Sequence, residues 1–199
     1  NISEDFLNFL KEHIDKNNFR SSLHAPFTEQ DIGSANDSLQ QRTYRRLQHT
    51  LDIAARLGSQ RIVVHPGYGD MPDENDFTQW LKRAGSLLKS LCQTASELGQ
   101  QIAFENIYDS TPERLYRLLD TVESEGAGIC FDTGHYNLFS PLPMQSWFNR
   151  LGNSILVCHI HDNDRSGDQH LAIGDGCLDY NPLIEWYKQL DIDKKPVMT

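Results

Sequence analysis

The sequence predicts an α/β protein in which parallel strands alternate with helices. Short apolar runs recur along the chain, and each ends in a histidine or an acidic residue. These runs are RSSLH, RIVVH, QIAFE, GICFD and ILVCHIH. Stretches with helical spacing of apolar residues lie between them. Continuous apolar strands separated by helices of ordinary length indicate a parallel sheet that is covered on both faces.

Length and composition favour a single domain over residues 1–199. The chain has 199 residues, of which 38% are hydrophobic, enough for a sizeable core. It contains no apolar run of about 18 residues and no signal-peptide pattern, so we expect no membrane association and a cytoplasmic location. The four cysteines have no CxxC spacing and fit structural thiols in a reducing compartment. They are Cys92, Cys130, Cys158 and Cys177.

The net charge makes nucleic acid an unexpected partner. The chain carries a formal charge of -10, whereas nucleic-acid binders usually present a basic stripe. The densest basic segment, RTYRRLQH, falls on a predicted helix whose apolar positions face inward. Its arginines are therefore better explained as a solvated helix face.

The first half of the chain predicts two helices and two strands. The segment SEDFLNFLKEHI is amphipathic, with Ser3 as its N-cap. A strand follows at about 20–24. The next helix runs from about Asp37 to Leu57 and ends at Gly58, a residue suited to a left-handed C-terminal position. The strand RIVVH comes directly after it.

The second half repeats this order. A helix begins at Asp76, with Gln79 three residues later as a capping-box partner, and ends at Gly99. Thr111-Pro112-Glu113 and Asn181-Pro182 open two further helices, because proline suits the first helical turn. We expect strands at about 101–105, 128–132 and 155–161, a short one near 170–173, and a last one starting at Pro196.

This alternation predicts a (β/α)8 TIM barrel that is incomplete in this chain. Such barrels typically need about 250 residues. The sequence begins in a helix and stops within the run PVMT, as though the first strand and the end of the last strand were missing. A doubly wound sheet is the alternative, but no GxGxxG or GxxxxGK[ST] loop follows any strand, which argues against nucleotide binding.

A metal site is the expected function of the polar strand ends. In a parallel barrel the carboxyl ends of all strands meet on one face, and imidazole and carboxylate together suit divalent metals. His159 and His161 alternate onto the same face of their strand, and His161, nearer its end, is the preferred ligand. The candidate ligands are His24, His65, Glu105, Asp132, His135, His161, Asp168 and His170.

Each candidate also has a purely structural explanation. His24 or His65 alone could be a hydrogen-bonded core histidine, and Glu105 or Asp132 could form a salt bridge inside the barrel. Burying so many polar groups would nevertheless be costly unless a metal or a hydrogen-bond network satisfied them. The whole set therefore favours a metal centre.

Six motifs carry a resemblance to a known family. LHAPF, HPG, FEN, FDTGH, HIHDN and DQHLAIGDG occur in this order between about residues 21 and 199. The ordered set resembles the xylose isomerase-like TIM-barrel superfamily, which includes sugar and sugar-phosphate isomerases and epimerases and the endonuclease IV branch. Single motifs such as HPG carry little weight alone.

The isomerase members imply one divalent metal (Zn, Mn, Co or Mg, with Zn or Mn favoured), held by residues matching Glu105, Asp132 and His161 and by a glutamate from the last strand. The metal would lower the cost of an enediolate intermediate, with Glu105 as ligand and acid/base. His135 and Arg165 resemble substrate-orienting groups. The last-strand glutamate has no counterpart, because the sequence given stops at Thr199.

The endonuclease IV branch implies a different use of all eight candidates, as a three-zinc phosphodiesterase site acting on abasic DNA. The acidic charge and the motifs FDTGHYN and HIHDND favour the isomerase or epimerase interpretation, with a sugar or sugar phosphate as substrate. A lyase or dehydratase, or a sugar-binding protein without catalysis, are further alternatives. A homo-oligomer remains open.

Overall fold

The computed structural model describes residues 2–71 and 73–199, and its centre is a parallel sheet of six strands. In chain order the strands are β1 (Ser22–His24), β2 (Arg61–Val64), β3 (Gln101–Glu105), β4 (Ala127–Asp132), β5 (Ile155–His159) and β6 (Val197–Met198). Each strand pairs with the next one in sequence, and every pairing is parallel.

Helices cover the outer face of the sheet. They are α1 (Glu4–Lys16), α2 (Asp37–Leu57), α3 (Glu74–Glu97), α4 (Glu113–Val122), α5 (Thr133–Phe139), α6 (Met144–Leu151) and α7 (Asn181–Gln189). None of the helices in the described part of the chain combines the length and the apolar character needed to cross a bilayer.

The strand order confirms the predicted barrel topology. A doubly wound sheet reverses its order at a switch point, whereas this sheet runs from β1 to β6 without reversal. The sheet is curved, since β5 approaches β2 and β3 across the interior. The described residues supply six strands, so this chain does not by itself close an eight-stranded barrel.

Two apolar layers hold the sheet in place. The larger lies between the sheet and the helices, where Phe131 contacts the rings of Tyr136, Trp147 and Phe148 at centroid distances of 5.6, 5.7 and 5.3 Å. The smaller fills the concave side with Val63, Ala103, Cys130 and Val157, which alternate with the outward-facing residues. This inner layer forms the floor beneath the strand ends.

Some predicted boundaries were wrong. α3 begins before the predicted cap at Asp76, because the Asp73 carboxylate accepts the Asn75 N–H at 2.6 Å. β5 ends at His159 instead of residue 161. The short strand expected near 170–173 is an isolated antiparallel bridge between Asp162 and Leu171. By contrast, α2 matches its predicted span, and Gly58 has the expected left-handed φ of 74°.

Candidate metal centre

The carboxyl ends of five strands border one cavity of about 610 Å³. β1, β3, β4 and β5 end in His24, Glu105, Asp132 and His159, and His65 follows β2 directly. All five side chains line the cavity. Parallel pairing brings these strand ends together although the residues are far apart in the chain.

Glu105 is the centre of the histidine cluster. Its carboxylate is 2% exposed. Its Oε2 lies 3.1 Å from His24 Nε2 and 3.0 Å from His65 Nε2, and its Oε1 lies 3.1 Å from His159 Nδ1. A carboxylate surrounded by three imidazole nitrogens at these distances is a donor set that would hold a divalent metal.

Asp132 occupies a second central position. It ends β4 and caps α5, because its Oδ1 accepts the His135 N–H at 2.8 Å. His161 Nε2 lies 3.0 Å from both carboxylate oxygens, and His159 Nδ1 lies 3.5 Å from Oδ2. Asn106 fixes this strand end by accepting the Asp132 N–H at 2.8 Å and donating to the Asp132 carbonyl at 3.0 Å. The N-cap of α5 thus positions the Asp132 carboxylate to bind a metal ion.

The structure separates the roles of His159 and His161. His159 approaches both Glu105 and Asp132, whereas His161 lies within 4.0 Å of Asp132 and Asp168 among the described residues. His161 is also absent from the residues that line the cavity. The geometry therefore favours His159 as the third ligand beside Glu105 and Asp132, although the sequence pattern ranks it second.

A third group lies on the loop between β5 and α7, residues 160–180. Asp168 lies 3.3 Å from His170 Nε2 and 3.5 Å from His135 Nε2. The rings of His161 and His170 stack at 3.9 Å with an interplanar angle of 1°. His170 has φ of 50°, a left-handed conformation that is uncommon for a residue with a side chain. Asp168, His170 and His135 all border the cavity.

The buried Asp162 carboxylate organises this loop. Its Oδ1 accepts the Asn163 and Leu178 N–H groups at 2.9 and 3.1 Å, and its Oδ2 accepts the Gly174 N–H at 3.1 Å. Gly176 is required here, because a Cβ would overlap Asp162 Oδ1. Asp162 thus presents Asp168 and His170 to the cavity without being a ligand itself.

Arg165 lies away from the candidate ligands. Its Nε donates to Asn137 Oδ1 at 3.1 Å, and the residue is absent from the cavity lining. Its left-handed φ of 70° belongs to the same loop. The predicted substrate contact therefore requires the loop to move or the ligand to extend beyond the cavity.

The hydrogen-bond pattern of His24 fits a metal. Its Nδ1 lies 2.7 Å from the Ala25 carbonyl, which can only accept, so Nδ1 carries a hydrogen. In the neutral ring Nε2 then presents a lone pair to the Glu105 carboxylate. His24 Nε2 and Glu105 Oε2 are then two acceptors 3.1 Å apart, which requires either a cation between them or a proton on Nε2. A divalent metal meets this requirement, and backbone carbonyls commonly orient histidine ligands in this way.

Charge and burial agree with such a site. Burial raises the pKa of Glu105, but hydrogen bonds from His159, His24 and His65 outweigh this effect and hold it below its ordinary value. Burial lowers the pKa of His159, yet hydrogen bonds to Asp132 and Glu105 raise it to about 9, so a metal ion would have to displace a proton from this ring. Glu105 is therefore ionised at neutral pH, the state required of a metal ligand. The buried His161 Nδ1 has no hydrogen-bond partner among the described residues.

Comparison with known proteins identifies the family. The family model described as "Xylose isomerase-like TIM barrel" matches residues 2–197. The chain belongs to this family. Among solved structures, a "D-tagatose 3-epimerase-like protein" superposes with a TM-score of 0.86 at 29% identity, covering 98% of this chain and 75% of that one. The TTHB071 protein from Thermus thermophilus, soaked with ZnCl2, gives a TM-score of 0.82 at 25% identity, covering 98% and 76%.

A relative by sequence belongs to the other branch of the family. It is named "Probable endonuclease 4" from Mycobacterium ulcerans (strain Agy99) and is 30% identical over 180 residues, 85% of this chain and 69% of that protein. In eight curated relatives the chain spans from 52% to 69% of the relative's length. The family is thus established, and the activity of the whole protein is a matter for proposal.

Proposed function

We propose that this protein is a divalent-metal-dependent isomerase or epimerase of sugars. The observation that carries the proposal is the position of His159 between two buried carboxylates, Glu105 and Asp132, at the ends of adjacent strands. Two carboxylates and one imidazole suit Mn²⁺ or Zn²⁺. The structure named "D-tagatose 3-epimerase-like protein" supports the choice of reaction through its name and its 29% identity over 98% of this chain.

The residues divide the chemistry among them. A bound divalent ion would polarise the carbonyl and the neighbouring hydroxyl of the sugar. Glu105 is kept ionised by three imidazoles and would accept the proton from the carbon next to that carbonyl. His135 Nδ1 donates to the Asn106 carbonyl at 3.0 Å, and its Nε2, 3.5 Å from Asp168, is the ring nitrogen that would contact a substrate hydroxyl. The cytoplasmic location remains a prediction.

The test combines metal content with exchange of a carbon-bound proton. Metal-loaded protein is incubated with D-tagatose or D-fructose in D2O, and NMR follows deuterium incorporation and the appearance of an epimer. Asp132→Asn should lose both metal and exchange, because it removes a charge with little change in shape. Asp120→Asn, on the outward side of α4, is the matched control. Metal-loaded protein that exchanges no carbon-bound proton of a free ketose or of a ketose phosphate would contradict the proposal.

Phosphodiester cleavage at a multinuclear zinc centre is the second candidate. Two observations favour it: His24 and His65 both contact Glu105 Oε2, and His161, Asp168 and His170 form a further ligand group. Several ions could stabilise both the attacking and the leaving oxygen. About three zinc ions per chain together with cleavage of DNA at an abasic site would favour this candidate over the isomerase.

A further inference from the structure

Besides the exposed Tyr108, three polar side chains of the described residues border the cavity without belonging to any ligand group. Gln30, Tyr68 and Asp109 lie on the loops that follow β1, β2 and β3. The candidate metal ligands use the same cavity but lie at the strand ends and on the loop 160–180. We call these three lining residues the distal wall.

Gln30 has unused hydrogen-bonding capacity. Its side-chain nitrogen and oxygen are both buried, and neither has a hydrogen-bond partner among the described residues. A buried amide without partners costs free energy that a bound ligand can recover. Gln30 offers one acceptor and two donors to such a ligand.

Tyr68 and Asp109 form a buried pair with capacity left over. The Tyr68 hydroxyl donates to Asp109 Oδ1 at 2.7 Å, and the Ile107 N–H donates to Asp109 Oδ2 at 3.2 Å. Asp109 is 3% exposed. Two donors leave further lone pairs on the carboxylate, and the Tyr68 oxygen can still accept. The pair thus suits a ligand that both donates and accepts, as a hydroxyl does.

The charges around the distal wall disfavour an anionic ligand. No lysine or arginine is found among the described residues that line the cavity. Arg114, the cation whose charge lowers the pKa of Asp109, is paired with Glu74 at 2.9 Å and lies outside the lining. A phosphate group placed at this wall would meet the Asp109 carboxylate without a compensating cation.

We propose that Gln30, Tyr68 and Asp109 form a subsite that binds hydroxyl groups of an uncharged polyol chain whose other end reaches the metal centre. This inference rests on the proposed function and makes it more specific, since it selects a free sugar over a sugar phosphate. Phe27 supports it: the ring stacks on His65 at 4.9 Å and is 59% exposed, so it offers an apolar face to the carbon side of a sugar.

The experiment measures ligand binding by calorimetry on manganese-loaded protein, with D-fructose, D-tagatose and D-fructose 6-phosphate as probes. Tyr68→Phe removes only a hydroxyl, and Gln30→Met replaces the amide with an apolar side chain of similar length. For whichever free ketose the unaltered protein binds, each variant should raise the dissociation constant by about tenfold, the effect of one or two lost hydrogen bonds. Metal affinity should stay unchanged, because neither residue is a candidate ligand.

Matched controls separate the subsite from general stability. Tyr44→Phe loses a hydroxyl contact to Ser90 Oγ at 3.1 Å, between α2 and α3, and Gln145→Met changes an exposed residue of α6. Both should bind the ketose like the unaltered protein. Fructose 6-phosphate should bind at least about tenfold more weakly than fructose.

Each outcome decides between the two proposals. Ketose binding that Tyr68→Phe and Gln30→Met leave unchanged, or tighter binding of the phosphate ester, would overturn the subsite while leaving the isomerase proposal in place. If the manganese-loaded protein binds none of the three probes, the proposed function is wrong and the subsite proposal falls with it.

Discussion

Replacing His159 and His161 separately by alanine tests the arrangement of the metal centre. His159 Nδ1 lies 3.1 Å from Glu105 and 3.5 Å from Asp132, which places it between the two carboxylates. Of these two carboxylates, His161 contacts only that of Asp132 among the described residues. Its Nε2 lies 3.0 Å from both Asp132 oxygens. We therefore expect His159 to bind the metal and His161 to orient Asp132.

The size of the effect follows from these roles. Loss of an outer partner that orients a ligand typically costs about 10- to 100-fold in metal affinity. His161→Ala should fall in this range, up to about 2.7 kcal/mol. His159→Ala removes one of three protein ligands and should cost more than about 100-fold, because losing a nitrogen that binds the metal directly costs more than losing a partner that only orients a ligand.

Competition with a chromophoric zinc chelator measures both affinities in one assay. His49→Ala is the matched control, because His49 is exposed on α2 and should leave zinc affinity unchanged. Circular dichroism of each variant without metal establishes that the fold is retained. A larger loss of zinc affinity for His161→Ala than for His159→Ala would refute the assignment and restore His161 as the ligand.

Three further predictions test the site and its surroundings. Zinc at about 100 times its dissociation constant should raise the free energy of unfolding by about 2.7 kcal/mol in urea titrations, and Asp132→Asn should lose most of this gain. In Gly134→Ala a Cβ would overlap the His161 ring at Cε1, so we expect a loss of about 1–3 kcal/mol in metal-free protein; an unchanged unfolding midpoint would mean that the ring moves freely. Burial raises the pKa of Asp109 from 3.8 to about 6, so the folded state binds the proton more tightly than the unfolded state. The contribution of Asp109 to stability should therefore fall by about 2 kcal/mol as pH rises from about 4 to about 7, and Asp109→Asn should lack this component; parallel urea curves for the two proteins across that range would contradict the assignment.

Local sequence signals predicted the parts of the fold that depend on neighbouring residues. Gly58 marks the end of α2, and its φ of 74° explains why a glycine stands there. The strand ends at Glu105 and Asp132 follow from apolar runs that stop at a charged residue. The start of α3 was misplaced because Asp73 and Asp76 both suit an N-cap, and only the structure shows that Asp73 accepts the backbone N–H.

Long-range contacts decided what the sequence could not. Alternation along a strand places His159 and His161 on one face only if the strand continues through both residues. β5, however, ends at His159. Beyond it, the His161 N–H donates to the Thr133 hydroxyl oxygen at 3.1 Å. The Tyr180 hydroxyl donates to the His161 carbonyl at 2.8 Å. These partners are 28 and 19 residues away, so no local pattern reveals them.

The same long-range geometry would allow the candidate ligand set to serve either proposed function. Glu105 has two oxygens, and the histidines divide between them: His24 and His65 approach Oε2, whereas His159 approaches Oε1. A single ion between Oε1, Asp132 and His159 would leave the Oε2 pair to position Glu105 through hydrogen bonds. A second ion at Oε2 would turn the same carboxylate into a bridge between metals. The number of ions bound at Glu105 therefore separates proton transfer in a sugar from cleavage of a phosphodiester more directly than any feature of the fold, which both branches share.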